Sequence, residues 1–170
     1  MSARHTVIDT SLGDITLVAA AGHVTGLYFP GHWPKPARHL FGAYVAAPED
    51  PLFGEFGAQL GQYLAGERAG FDLPTAAEGD EFQRRVWALL RKIPYGQTTT
   101  YGAMAAELGD RSQAQAVGQA VGRNPLCIVI PCHRVVGSSG ALTGYAGGLR
   151  RKRLLLTLEE PARVVAGGLF

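Results

Sequence analysis

From His5 to Phe29 the chain alternates β-rich stretches with turn residues: Val7-Ile8, Ile15-Thr16-Leu17-Val18 and Val24-Thr25-Gly26-Leu27-Tyr28-Phe29 are separated by Leu12-Gly13-Asp14 and Ala21-Gly22. This pattern predicts a small antiparallel meander. A Pro- and His-rich loop follows over residues 30–51, and then Phe53, Phe56, Leu60 and Leu64 recur at helical spacing. They predict an amphipathic helix over 53–64 that covers the sheet. Residues 74–79 read as a linker. Beyond it, Phe82, Val86, Leu89, Leu90 and Ile93 predict a helix over 81–93, ended by Pro94-Tyr95-Gly96. Residues 97–100 are expected to be extended. A short helix over 101–108, a break at Gly109-Asp110 and a second helix over 112–122 give a helix-turn-helix outline. In the second helix Ala114, Val117, Gly118 and Val121 form the inward face, and Ser112, Ala116, Gln119, Ala120 and Arg123 the outward one. Small outward side chains allow close approach to a groove, with Arg111 and Arg123 placed to touch phosphates. A tightly packed alanine-rich helix pair that binds nothing fits these features equally well.

With 170 residues, 46% hydrophobic and 18% charged, the chain can bury a proper core as one large domain or two small ones. The net charge of +2 hides an asymmetry: residues 1–80 sum to −5, 81–110 to +1 and 111–163 to +6. An acidic front and a basic back suggest two modules, the second facing an anionic partner, although a solvated basic helix has the same charge.

The apolar run Leu126-Cys127-Ile128-Val129-Ile130 leads into Pro131-Cys132-His133-Arg134-Val135. A thiolate attacks where a thiol hardly does, so a reactive cysteine needs a neighbour that takes its proton or stabilises its anion. His133 and Arg134 offer both, which marks Cys132 as the nucleophile; Cys127, inside the apolar run, reads as core packing. The run is expected to be a strand, with the cysteines on opposite faces and about 16 Å apart at roughly 3.3 Å per residue. That separation forbids a disulfide, and the spacing is not that of a structural zinc site. His23, His32 and His39 read as scattered surface histidines, so no metal is expected. Reduced thiols, no basic-then-apolar start in residues 1–10 and no run long enough to span a bilayer lead to the expectation of a soluble, cytoplasmic protein without membrane partners.

Taken together, Phe82-Gln83-Arg84-Arg85-Val86-Trp87, Ile93-Pro94-Tyr95-Gly96, Thr100-Tyr101-Gly102, Ala116-Val117-Gly118, Arg123-Asn124-Pro125, the Pro131 to Val135 element and Gly144-Tyr145-Ala146-Gly147-Gly148 resemble the O6-alkylguanine-DNA alkyltransferase family. The likeness covers nearly all of residues 80–160 in motif order and spacing. It implies an α+β fold with a ribonuclease-H-like N-terminal domain (1–76), a C-terminal winged-helix or helix-turn-helix domain (80–160) and a tail (161–170). It also implies a repair protein that moves an alkyl group from O6 of guanine, or O4 of thymine, in double-stranded DNA irreversibly onto its own cysteine. Such a protein works once, as a monomer able to cluster on DNA, without a cofactor.

By position the resemblance makes Cys132 the acceptor, activated through a water by His133 and then Glu159. Asn124 would tie its turn to the cysteine loop, and Tyr101 would press on the DNA backbone and donate a hydrogen bond to the extruded guanine. Val121, Val135, Tyr145, Ala146 and Gly147 would form the guanine pocket. Gly102, Arg111, Gln115, Ala116, Gln119, Arg123 and Arg134 would face DNA, bound from the minor groove with the damaged base flipped out.

Two departures stand out. Family members commonly insert an arginine where this chain has Gln115, and Ser112-Gln113-Ala114-Gln115 also spells a capping box that would engage Gln115 at the helix start. Some relatives carry an N-terminal zinc on Cys and His, whereas no cysteine precedes Cys127 here. Two other functions share features of the pattern. A cysteine hydrolase would also want a Cys–His pair but would turn over, and an alkyltransferase-like damage sensor would share the DNA surface but lack the cysteine.

Overall fold

The computed structural model describes residues 2–160; the tail expected over 161–170 lies outside them. Three strands, β1 (Arg4–Thr10), β2 (Gly13–Ala20) and β3 (His23–Tyr28), form the expected meander, and a short β4 (Ala43–Tyr44) adds to β1 in parallel, giving the order β3-β2-β1-β4. The turn between β2 and β3 takes positive φ at Ala21 and Gly22, 52° and 79°, and the turn between β1 and β2 is followed by Gly13 at 103°, the first residue of β2. On one face of the sheet Ile15, Leu17, Ala19 and Leu27 are completely buried. They pack into a core with Phe53, Phe56, Leu60 and Tyr63 of α1 (Pro51–Leu64).

Asp50 starts α1. Its carboxylate accepts from the Leu52 and Phe53 backbone N–H groups at 3.0 and 3.3 Å and also pairs with Arg4 of β1. One side chain therefore both caps the helix and pins it to the sheet.

In the second half, α2 (Glu81–Arg91) opens on a capping box formed by Asp80 and Gln83. It is followed by β5 (Thr99–Thr100), α3 (Tyr101–Glu107), α4 (Ala114–Gly122), β6 (Val135–Val136) and α5 (Leu149–Leu158). β5 and β6 pair in parallel, and Trp87 of α2 donates from Nε1 to the Ala120 carbonyl of α4 at 2.8 Å. That contact turns Ala120 inward, 3% exposed, against its expected place on the outer face. Asp110, not Ser112, is the capping residue here, and it caps the 3-10 turn Arg111–Gln113 that leads into α4: its carboxylate accepts from the Ser112 N–H, and Ser112 Oγ donates to it as well. The expected Ser112–Gln115 capping box does not form, because an acidic residue two positions earlier competes for the same N–H.

The segment expected to be a free linker is zipped to the sheet. Val24 N–H donates to Pro74 O at 2.9 Å and Ala76 N–H to Val24 O at 3.0 Å. Leu27 N–H likewise donates to Pro125 O at 2.8 Å, so β3 fastens the turn after α4. The buried core runs without interruption from Leu12 to Leu155 across both halves. Among the described residues no helix is long and apolar enough to cross a membrane.

Because Asp50 both caps α1 and holds Arg4, Asp50→Ala is expected to cost about 1–2 kcal/mol. Urea unfolding would show this as a lower midpoint with an unchanged slope.

Candidate active site

The expected strand over residues 126–130 is a turn. Asn124, 2% exposed, accepts from the Leu126 N–H at 2.9 Å and donates from Nδ2 to the Ile130 carbonyl at 2.8 Å, while Ile130 N–H donates to Leu126 O at 2.8 Å. Ile128 takes φ 74°, a conformation that β-branched residues rarely adopt. The β-branched sequence reflects burial, and the Asn124 side chain supplies the hydrogen bonds that a strand neighbour would have supplied. The consequence is large: Cys127 and Cys132 are not about 16 Å apart, and their sulfurs lie 3.7 Å from each other, both unoxidised.

Cys132, His133 and Arg134 form a single 3-10 turn, so their side chains diverge. Cys132 lines a cavity of about 450 Å³ shared with Tyr101, Val121, Tyr145 and Ala146, and also with Gln119 and Arg123. Its thiol pKa is lowered: contact with Cys127 does most, the Asn124 amide and the charge of Lys152 help, and burial opposes them.

Behind the cysteine lies a buried polar cluster. His133 Nε2 is 2.8 Å from Glu159 Oε2, and Arg134 reaches both oxygens of the same carboxylate, with Nε 2.7 Å from Oε1 and Nη2 2.8 Å from Oε2. Tyr63 of α1 donates its hydroxyl proton to Glu159 Oε2. Burial pushes the Glu159 carboxyl up, yet the hydrogen bonds from His133 and Arg134, with that of Tyr63, outweigh it and hold its pKa at about 2. Its charge is therefore present throughout the neutral range. Burial pushes the His133 imidazole down, with Arg134 and Lys152 adding to the effect and Glu159 opposing it. A neutral His133 must then carry its proton on Nε2, toward the carboxylate, and leave Nδ1 as an acceptor. Nδ1 is buried and makes no hydrogen bond among the described residues.

The remaining expected residues divide. Tyr101 begins α3, half-buried beside the cavity, and its hydroxyl accepts from Thr143 Oγ1 at 3.3 Å. Arg111, Gln115, Ala116, Gln119 and Arg123 are exposed along the helical hairpin, and Gly102 sits beneath the Arg111 guanidinium, where a Cβ would come within 3.1 Å of Nη1. Arg134 does not face outward: it is 6% exposed, and Nη1 donates to Ile93 O at 2.7 Å. A guanidinium this buried, and aimed at a carboxylate and a carbonyl, is not placed to meet a phosphate. Val135 and Gly147 stand behind the cavity wall, Val135 within the β5–β6 pair and Gly147 against the Phe29 ring. His32 is also turned in, accepting from the Phe29 N–H, and burial followed by the charges of Lys35 and Arg151 pushes its pKa down to about 4. A tight turn between Phe29 and His32 makes this residue part of the core rather than a surface histidine.

Sequence reasoning missed two contributors. Lys152, counted only within the positive charge of residues 111–163, is completely buried, with Nζ donating to Thr143 O at 2.7 Å and Gly144 O at 3.1 Å. It holds the loop that carries Tyr145 and Ala146. Burial lowers its pKa to about 8. Tyr63 could have been flagged as an aromatic on the buried face of α1, since a buried phenol needs a partner for its hydroxyl. Nothing in the sequence gives that partner, 96 residues away. Among the described residues no group of His, Cys, Asp and Glu is placed to hold a metal.

The arrangement suits attack by a sulfur nucleophile on a group presented in the cavity, in a mixed α+β protein with a sheet-and-helix N-terminal half and a helical C-terminal half. Comparison with known proteins specifies the class. Residues 3–77 match the ribonuclease-like domain, and residues 81–161 the DNA-binding domain, of 6-O-methylguanine DNA methyltransferase. The methylated-DNA–protein-cysteine methyltransferase of Mycolicibacterium paratuberculosis is 44% identical over 158 residues, 92% of each chain; that of Methanosarcina acetivorans is 51% identical over 155 residues, 91% of this chain and 97% of its own. The crystal structure of Mycobacterium tuberculosis OGT in complex with DNA superposes with a TM-score of 0.82 at 41% identity, covering 92% of each chain. The chain belongs to the 6-O-methylguanine DNA methyltransferase family.

Replacing Glu159 with Gln would leave the Arg134 guanidinium buried without its counter-charge. The expected loss is roughly 3–5 kcal/mol of stability, to be read from chemical unfolding at pH 7. The same variant should also lose the low-pH resistance of the cluster. Because the folded carboxyl titrates near 2 rather than its ordinary 4.5, its contribution is complete above pH 4.5 and disappears as pH falls through about 2.

Proposed function

We propose that this protein repairs DNA by transferring the alkyl group of O6-alkylguanine to Cys132, once per molecule. The observation that carries the reading is a sulfur of lowered pKa opening into a cavity of about 450 Å³, backed by a histidine whose free nitrogen is an acceptor. His133 Nδ1, by way of a water, takes the Cys132 proton. The thiolate then attacks the alkyl carbon in line with the carbon–oxygen bond; the carbon–sulfur bond forms and the carbon–oxygen bond breaks. Tyr101 accepts from Thr143, so its own O–H is free to donate a hydrogen bond to the extruded guanine and stabilise the charge that develops as the carbon–oxygen bond breaks. A thioether has no leaving group that water can displace, so the protein is spent.

Cys132 is only 3% exposed, and a base stacked in a duplex cannot reach it. The damaged nucleotide must therefore be swung out of the helix, at a cost of a few kcal/mol that falls for a poorly paired lesion. Val121, Tyr145 and Ala146 line the space that receives it, and O4-alkylthymine presents the same reacting bond in a smaller base. The exposed Arg111, Gln115, Ala116, Gln119 and Arg123 form the DNA surface of the helical hairpin, which approaches the minor groove. The names of the relatives and the DNA complex of the Mycobacterium tuberculosis protein support this reading. A reducing compartment, the cytoplasm, suits a protein whose acceptor must stay a thiol.

Methyl transfer from excess O6-methylguanine duplex is expected to stop at one equivalent per protein, and Cys132→Ser to transfer nothing. Release of several equivalents would mean hydrolysis. The rate of transfer should fall toward acid pH with a midpoint below the 6.5 of an ordinary histidine, because protonation of His133 removes the acceptor at Nδ1. A midpoint above that value would contradict the assignment. Gln115 is uncharged and shorter than arginine, so it fills the gap left by a flipped base poorly. Gln115→Arg is expected to raise the rate on duplex DNA several-fold and to leave the rate on free O6-methylguanine base unchanged; equal duplex rates would exclude this role for position 115.

A further inference from the structure

The alkyl transfer described above uses one sulfur, yet a second lies in contact with it, just behind the cavity. Cys127 Sγ is 3.7 Å from Cys132 Sγ, and Cys127 is completely buried. The contact depends on the tight turn at Ile128, whose φ of 74° folds the chain back on itself. Burial alone does not demand a thiol at position 127, where another small apolar side chain would fill the same space. The two sulfurs also differ in access, since Cys132 lines the cavity and Cys127 does not. Cys132 is the more thiolate-like of the pair, through Cys127, Asn124 and Lys152, while Cys127 is pushed well up by its contact with Cys132 and by burial.

We propose that Cys127 is a resolving thiol, which converts a peroxide-oxidised Cys132 into a Cys127–Cys132 disulfide that a dithiol can reduce. In the first step the Cys132 sulfur attacks one oxygen of a hydroperoxide small enough to enter the cavity. A sulfur–oxygen bond forms, the oxygen–oxygen bond breaks, and the other oxygen leaves with a proton as water or alcohol. Sulfur is oxidised by two electrons to a sulfenic acid and the peroxide is reduced. In the second step Cys127 Sγ attacks the Cys132 sulfur. The sulfur–sulfur bond forms, the sulfur–oxygen bond breaks, and hydroxide leaves with the Cys127 proton as water. The sulfurs need to close from 3.7 Å to about 2.05 Å, a distance on the scale of side-chain rotation. The disulfide occupies the acceptor sulfur before a second peroxide can carry it to sulfinic acid, which thiols do not reverse. A dithiol entering by the cavity attacks the accessible Cys132 sulfur and returns both thiols.

This chemistry needs only the thiol pair and its cavity, so it stands or falls separately from alkyl transfer. Trypsin cuts after Arg123 and Arg134, leaving both cysteines in one peptide. The full chain is treated with hydrogen peroxide, blocked with iodoacetamide under denaturing conditions, digested and weighed, with and without dithiothreitol before blocking. The expected result is a peptide that has lost two hydrogens and takes no label, and that takes two labels after dithiothreitol. In Cys127→Ala the peptide should instead gain two or three oxygens that dithiothreitol does not remove, at least ten-fold more than in the parent. A parent peptide that gains oxygen to the same extent as Cys127→Ala, or never loses its two hydrogens, overturns the proposal. If the variant fails to fold, the parent peptide alone decides by the presence or absence of the two-hydrogen loss.

Discussion

The buried Glu159 carboxylate is the contact on which the site depends. It closes α5, receives Arg134 on both oxygens, holds His133 in one tautomer and accepts the Tyr63 hydroxyl from α1. A carboxylate taken out of water is costly unless its lone pairs are filled, and here three side chains from two halves of the chain fill them. The same interaction thus does two things at once. It welds the C-terminal helix and the N-terminal helix to the cysteine turn, and it leaves Nδ1 of His133 as an acceptor. Arg134 is central to this: beside Cys132 in sequence, it serves the carboxylate, not the sulfur. Its guanidinium also lies over the Tyr95 ring, 5.6 Å from the centroid, which supports the charge on its far side.

A second constraint shapes the cavity from the other side. Asn124 folds residues 126–130 into a turn, β3 holds that turn through Leu27 and Pro125, and Lys152 ties down the loop bearing Tyr145 and Ala146. Arg151, the neighbour of Lys152, reaches the other way, donating to Leu12 O at 2.7 Å and lying over the Phe29 ring at 5.2 Å. Two adjacent basic residues of one helix therefore stitch the loop bearing Tyr145 and Ala146 to the sheet. The N-terminal half packs behind a site whose proposed reacting groups all belong to the C-terminal half.

Much of this was legible in the sequence. Period-two and period-3.6 hydrophobic patterns placed β1 to β3, α1, α2 and the helical hairpin, because each of those elements buries one regular face. The short Pro-Cys-His-Arg-Val element singled out Cys132, which does line the cavity, since a cysteine beside a base is a local signal. What stayed hidden was set by distant partners. Ile128 and its neighbours read as a strand because burial selects the same β-branched residues whether or not a ladder forms, and one asparagine made the difference. Lys152 was lost in a basic run, since charge counts do not show which member turns inward. Arg134 looked free for DNA for the same reason. Tyr63 and Glu159 lie too far apart in sequence for any periodicity to pair them.

The central claim, that Cys132 is the terminal acceptor, is tested most directly by mass spectrometry of the protein after incubation with a duplex containing a single O6-methylguanine. The account predicts one added methyl group per molecule, confined to Cys132, with unmodified guanine restored in the DNA. Restored guanine with no mass added to the protein, or a methyl group found on Cys127 in place of Cys132, would contradict it.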